Sequence, residues 1–351
     1  MALTQVQSGM LNADSQNYGF KNRIINGGMV VNQYGTGSSA GNGMAVDRFK
    51  NPVSQAAKLT VQQNAGSVTP PAGFTNYYGM TSSSAYSVIS TDYFLIGQSI
   101  EGLNITDLGW GTANAQTVTL SFWVRSSLTG TFGGSLQNSA QTRTYPYSYT
   151  ISSANTWEYK TVTIAGDTSG TWLTTNGVGV TLWFSLGVGS INQGTANAWA
   201  GSSVLAPTGS VSVVGTNGAT FYITGVQLEK GSTATSFDYR PFGAELALCQ
   251  RYAQPCGQGG TGRASSSTGL ETTTQFRVPM RATPTITFGG FSGAQTEISQ
   301  FGIGSVTVSA VSNSGFASAT GSYLSYTTTG ATSASFVACI KGDTSFANAE
   351  L

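Results

Sequence analysis

The sequence predicts an all-β protein: a jelly-roll β-sandwich, then a smaller C-terminal β-sandwich, with a short helical hinge between them. Three observations carry this. Apolar and polar residues alternate over stretches as long as "GVGVTLWFSLGVG" (177–189), and a period of two marks a strand with one buried face. Turn-forming Gly, Ser and Asn separate these stretches, Gly alone occurring 46 times, as many short antiparallel strands require. Helical spacing stands out in a single place, "FGAELALCQRYAQ", where Leu246, Cys249 and Tyr252 fall on one side.

In chain order, "FKNRIINGGMVVNQ" reads as a hairpin. A strand from Arg23 to Ile25 turns at Asn26-Gly27 and returns over Met29 to Gln33, and a third strand enters at Ala45. In "TVTLSFWVRS" (117–126), Val118, Leu120, Phe122 and Val124 face the core, while Thr119, Ser121, Trp123 and Arg125 face away. In 177–189 the core row is Val178, Val180, Leu182, Phe184, Leu186 and Val188, with Thr181, Trp183 and Ser185 opposite. "NTWEYKTVTIAGD" and "ATFYITGVQL" add further strands. After the helix a Gly/Ser-rich linker leads to five more, at 272–280, 283–291, 305–312, 321–330 and 334–342. The expected division is an N-terminal segment and hairpin over 1–44, a jelly roll over 45–240, the helix and linker over 241–264, and the C-terminal sandwich over 265–351.

Composition closes off several functions. Only 8% of residues are charged, against about a quarter in ordinary domains. No apolar run approaches the roughly 18 residues of a spanning helix, so membrane insertion is not expected. A net charge of +1 without a basic cluster argues against nucleic acid. Histidine is absent, which removes Ser-His-Asp and Cys-His catalysis and the commonest transition-metal ligand. The fourteen acids are scattered singly, so no carboxylate pair marks a hydrolase. Neither a metal nor another cofactor is expected, and the chain is read as non-enzymatic. Cys249, Cys256 and Cys339 have no metal-binding spacing and read as free buried thiols. "MALTQVQSGM" has no basic and apolar leader pattern, so synthesis in a reducing cytoplasm is expected.

Several motifs have a plain reading beside a sharper one. "GTGSSA" (35–40) and "GQGGTG" (257–262) spell dinucleotide fingerprints but are followed by more loop residues instead of a helix, so both read as loops. "NIT" (104–106) reads as a polar triplet at a strand edge. Asp47 in "VDRF" could bind a cation, but a lone Asp more often caps a turn or pairs with its neighbour. Trp123 and Trp183 are more informative, each mid-strand and opposite an aliphatic row. Either a loop or a neighbouring subunit covers them, or they form an outward platform that stacks on a sugar ring, with Arg125 donating hydrogen bonds. Trp110, Trp157, Trp172 and Trp199 read as plugs at strand ends.

Taken together, "FKNRIINGGMVVNQ", "VDRF", "LSFWVRSSLTGTF", "NTWEYKTVTIAGDTSGTW", "FYITGVQLEKGSTATSFDYRPFGAELALCQRY" and "FRVPMRATPTI" resemble, in this order, bacteriophage tail-fibre and related virion proteins. The match spans about residues 20 to 290. The middle region is similar to the carbohydrate-binding-module jelly roll of glycan-active enzymes. The resemblance implies a virion structural protein, made in the bacterial host cytoplasm, acting as a tail fibre or receptor-binding component that recognises host surface polysaccharide. It also implies a homotrimer, with residues 1–44 attaching to other tail or capsid proteins. Absence of β-helix repeats separates the sequence from depolymerising tail spikes. A head, collar or fibre protein whose role is assembly alone is the alternative.

Overall fold

The computed structural model of the 351-residue chain describes residues 21–35, 41, 43–256, 261–266, 269–287, 297–300, 305–329, 336–340 and 346–351. Of the expected attachment segment and hairpin over 1–44, residues 1–20, 36–40 and 42 lie outside them. The chain divides into two compact units between Phe242 and Gly243.

The first unit carries strands β1 (Met44–Val46), β2 (Phe49–Lys50), β3 (Leu59–Gln63), β4 (Tyr78–Ser82), β5 (Tyr93–Glu101), β6 (Val118–Ser126) and β7 (Gly130–Asn138). They are followed by β8 (Thr144–Ile151), β9 (Glu158–Ile164), β10 (Val178–Val188), β11 (Gln193–Gly194), β12 (Ala206–Pro207) and β13 (Thr220–Lys230). Two antiparallel sheets form the jelly-roll sandwich, ordered β1-β2-β5-β10-β7-β8 and β3-β4-β13-β6-β9. Non-consecutive neighbours such as β5 and β10 show the long crossovers of this architecture.

The alternation in the sequence is the alternation in space. Val118, Leu120, Phe122 and Val124 are completely buried, as are Val180, Leu182, Phe184 and Leu186, and all join one apolar cluster between the sheets. Phe122 meets Phe184 across the sandwich, edge to face with ring centroids 5.0 Å apart. Val188 departs from its row. The β5–β10 register shifts between Ser185 and Gly187, and Gly187 has φ +147°. This bulge reverses the parity of the strand end, so Val188 packs with Trp183 instead of the core.

The expected hairpin over 23–33 does not form. Residues 21–35 contain no strand, although Asn26 does turn the chain, with φ +60° and its carbonyl accepting from Met29 N at 2.9 Å. The flanking residues pair with distant strands instead of with each other. Arg23 N donates to Leu228 O on β13, while Ile25 exchanges N–H and C=O bonds with the Gln98 amide on β5. Asn22 Oδ1 accepts from Ile24 N and Leu228 N, and its Nδ2 donates to Val226 O at 3.1 Å. Arg240 then holds the backbone carbonyls of Asn22 and Ile24, and Asp238 Oδ2 accepts from Asn22 N. The segment is therefore part of the jelly-roll unit and fastens to both sheets.

In the second unit, α1 (Phe242–Gln250) falls where helical spacing predicts it, with Cys249 and Tyr252 buried. It is followed by β14 (Ala253–Pro255), β15 (Thr261–Ser266), β16 (Gly269–Gln275), β17 (Thr285–Thr287) and β18 (Glu297–Gln300). The last four are β19 (Ser305–Ser318), β20 (Gly321–Thr329), β21 (Phe336–Ile340) and β22 (Phe346–Asn348). The all-β class is as expected, but six of these strands close on themselves as β15-β16-β20-β19-β18-β21, a barrel in place of a second open sandwich. Closure removes the sheet edges that a small sandwich would leave unpaired. Strand β15 begins inside the stretch assigned to the linker, because "TGRASS" pairs with "GLETT" across a short connection.

Replacing Asn22 by Ala leaves two buried N–H groups and one carbonyl without their partner. The expected loss is roughly 3 kcal/mol, at about 1–3 kcal/mol per orphaned group, read from the urea midpoint of the jelly-roll transition. A loss below about 1 kcal/mol would show that the segment is not a structural fastening.

Candidate functional site

The three residues singled out from the sequence do not share one surface. Trp123 and Arg125 lie on β6 in the five-stranded sheet, and Trp183 lies on β10 in the six-stranded sheet. Both tryptophans point away from the core, as their parity requires, and therefore toward opposite outer sides of the sandwich. Trp183 is also covered. It is 9% exposed and packs with Leu95, Val188, Ala206 and Leu205, its Nε1 donating to Gln137 Oε1 at 3.3 Å. Returning chain around Leu205 and Ala206 thus turns an apparent surface residue into a second small core.

Lys50 Nζ sits 5.1 Å from the Trp183 ring centroid and donates to Ser99 Oγ at 2.8 Å. Burial, with a smaller effect from nearby Arg48, lowers the lysine's pKa to about 8. Asp47 is likewise structural, with one oxygen accepting from Gln33 N and the other from Gln33 Nε2, both at 2.6 Å. Burial still pushes its carboxyl above the usual range. Asn104 of "NIT" ends a 3₁₀ turn, and its carbonyl accepts from Arg23. The two glycine patterns lie mostly outside the described residues.

The five-stranded sheet presents the aromatic face. Trp123 stands opposite Thr224 of β13 on one side and Tyr159 of β9 on the other. Its ring lies 5.4 Å from that of Tyr159, tilted by 50°, and Tyr159 is 44% exposed. One pleat along, Arg125 stands opposite Tyr222 with its guanidinium 5.6 Å from the ring centroid. Arg125 Nε donates to Asn155 O at 2.9 Å, and its two terminal nitrogens make no hydrogen bond among the described residues.

Tyr222 continues the aromatic row into Tyr77 at 5.1 Å, and Trp157 meets Tyr77 edge-on at 5.6 Å. The loop above is fastened to these rings. Tyr77 OH donates to Ala65 O, Val68 N donates to Tyr77 OH, and Trp157 Nε1 donates to Thr69 O. This loop walls one end of the face, while Tyr159, Thr161 and Thr163 are left exposed on β9. Trp157 was expected as a plug; it shares the outward parity of Tyr159, two residues on. That parity was the available signal for Tyr159 and Trp157. Tyr222 is placed by its pairing with Arg125 across β13 and β6, whereas Tyr77, just before β4, meets it through ring contact, and both rings are buried.

Trp110, Trp172 and Trp199 do form the expected plug. Their centroids are 4.7 to 5.5 Å apart in edge-to-face contacts. Arg143 closes it with a bidentate pair to Asp167, both bonds 2.7 Å.

On the outer face, two half-open rings offer a hydrophobic plane, a fixed guanidinium offers donors, and threonine hydroxyls fill the rim. The jelly-roll carboxylates with defined contacts are engaged elsewhere: Asp107 with Arg23, Asp92 with Ser54 and Tyr86, and Glu229 with Thr235. Glu158, at the start of β9, is raised by burial, but hydrogen bonds from Lys160, Ser153 and Ser152 outweigh this and hold it below the usual carboxylate range. Among the described residues no cluster of three metal-ligating side chains occurs, and no helix is long and apolar enough to cross a membrane.

No protein-family model matches the chain, and no curated protein does. Among solved structures, similarity extends to the enzymatically active domain of tailspike protein 4 of bacteriophage CBA120, with TM-score 0.32 and 12% identity over 60% of this chain and 21% of that one. A family 4 carbohydrate-binding module aligns with TM-score 0.31 and 14% identity over 59% of this chain and 98% of its own. A family 11 carbohydrate-binding module of a Clostridium thermocellum cellulase aligns with TM-score 0.27 and 13% identity over 57% and 98%.

The lowered pKa of Lys50 has a measurable consequence. The folded state releases this proton near pH 8, whereas the unfolded chain keeps it to about 10.4. Between those values the unfolded state binds more protons, so the Lys50 contribution to stability rises with pH. The thermal midpoint of the native protein is expected to gain on a Lys50→Met variant between pH 8 and pH 9.5; parallel pH profiles would contradict the assignment.

Proposed function

We propose that this chain is a virion fibre or receptor-binding protein that holds host surface polysaccharide on the outer face of its five-stranded sheet, without cleaving it. The observation that carries the reading is the outward Trp123–Tyr159 pair beside Arg125. A pyranose presents a C–H face to an aromatic plane and hydroxyls around its edge, and here the plane and the free guanidinium donors lie on adjacent pleats. The rigidity of a sheet supports the site, because strands fix side-chain direction better than loops do.

In this reading the protein acts in the virion as a homotrimer, joined to tail or capsid proteins by its N-terminal segment. Support for self-association is physical: a surface with so few charges has little electrostatic protection against it. The engagement of acids in structural contacts supports binding over turnover.

A glycan array with the full chain, followed by titration of the best hit, tests the proposal. Trp123→Ala and Tyr159→Ala are each expected to weaken binding at least about tenfold, as truncated aromatic anchors do. Their thermal midpoints should stay near that of the native protein, because substitutions away from the core usually shift stability by within about 0.5 kcal/mol. Sedimentation of the same variants should still give a trimer. Variants that keep full glycan affinity but sediment as monomers would assign this face to subunit packing instead.

A further inference from the structure

The other sheet ends in an open pocket of about 400 Å³ whose lining includes Tyr86, Val88, Ser185, Val188, Gln193 and Ser212. Its construction follows from the β10 bulge. Leu186 O accepts from both Val213 N and Val214 N, which draws the 210–215 loop over the strand end. A Cβ at Gly187 would lie 2.7 Å from Ser212 Oγ and 2.8 Å from Val214, so the pocket wall needs glycine there. Tyr86 is held from behind, its OH donating to Asp92 Oδ2 at 2.8 Å, while Asp92 also accepts from Ser54 Oγ and Ile89 N.

The lining is chemically specific. Ser212 Oγ is buried and has no hydrogen-bond partner, a state that costs free energy unless a ligand or water completes it. Ser185 is 2% exposed, and its Oγ accepts only a long bond of 3.3 Å from Gly187 N, leaving its proton to donate. Gln193 Nε2 donates to Val188 O at 2.8 Å, which leaves Oε1 as an acceptor. Donors and acceptors thus converge between an aromatic ring and two valines, and no charged side chain lines the space. The volume falls at the small end of the about 300–1,000 Å³ typical of small-molecule sites.

From this we infer a second binding site, at the β10 end of the six-stranded sheet, for one neutral polyhydroxylated ring such as an aldohexopyranose or its N-acetyl derivative. The site does not depend on the aromatic face of the other sheet. Ser212 and Ser185 bond to ring hydroxyls, Gln193 Oε1 accepts from a third, and Tyr86 with Val88 and Val188 covers the C–H surface. A neutral sugar is preferred over a carboxylate-bearing one because no cation lines the pocket; Lys58, whose Nζ lies 4.8 Å from the Tyr86 ring centroid, is not among the lining residues.

Saturation-transfer NMR on the full chain tests this with D-glucose, D-galactose, D-mannose, L-rhamnose, N-acetyl-D-glucosamine and D-glucuronate as probes. At least one neutral sugar should bind saturably in the millimolar range, as a ligand of this size does, while glucuronate should bind more weakly. Ser212→Leu, which fills the pocket, should weaken that binding at least about tenfold, and Trp123→Ala should leave it unchanged. Should Ser212→Leu fail to fold, Ser185→Ala removes only a hydroxyl and should weaken the same sugar. No transfer to any neutral sugar, equal binding by the pocket variants, or loss of binding in Trp123→Ala would each overturn the inference.

Discussion

Buried side-chain amides fasten the strandless segment before β1 to both sheets of the jelly-roll unit. Asn22 satisfies backbone groups of β13 in one sheet, and Gln98 reaches from β5 in the other to both polar groups of Ile25. Asn26 completes the fastening, its Nδ2 donating to Val31 O and Asp47 O and its Oδ1 accepting from Val31 N. All three side chains are essentially unexposed. A segment with no strand of its own can enter an apolar sandwich only if its backbone groups find partners. Amides supply donor and acceptor together without the desolvation cost of a charge.

The same economy shapes the outside of the molecule. Charges that do occur in the jelly roll are largely committed to fastenings, as Arg143–Asp167 and Arg23–Asp107 show. What remains for solvent and partners is mostly hydroxyl, amide and aromatic, with few charges among them. On the five-stranded sheet this leaves the Trp123–Tyr159 plane open beside a guanidinium. On the six-stranded sheet the corresponding tryptophan is roofed over, and the polar opening has moved to the strand end. The two faces therefore differ through what the connecting loops cover, although their strands follow one pattern.

That difference explains how much could be read from the sequence. Local pattern was sufficient for β6, β10, β13 and α1, because period-two and helical spacing are properties of consecutive residues. It also gave the outward direction of Trp123 and Arg125. It was insufficient wherever the deciding partner is remote. Asn26-Gly27 has the chemistry of a hairpin turn, but Ile25 is bound 73 residues away and Arg23 N pairs with Leu228. Trp183 is covered by chain some twenty residues later that carries no strong signal of its own. The bulge at Gly187 shifts parity without interrupting the apolar alternation, so Val188 could not be assigned to its true side. Closure of the C-terminal barrel depends on β15 meeting β21, a pairing no local pattern specifies.

We propose the open side of the five-stranded sheet as the glycan-binding surface. Six tryptophans give six indole N–H resonances, which makes the claim directly observable. Two-dimensional NMR of the full chain titrated with oligosaccharide from the host surface should shift the Trp123 indole, and the neighbouring Trp157 with it. The Trp110, Trp172 and Trp199 signals should stay fixed. Movement of those three with Trp123 unchanged would place the glycan elsewhere and contradict the account.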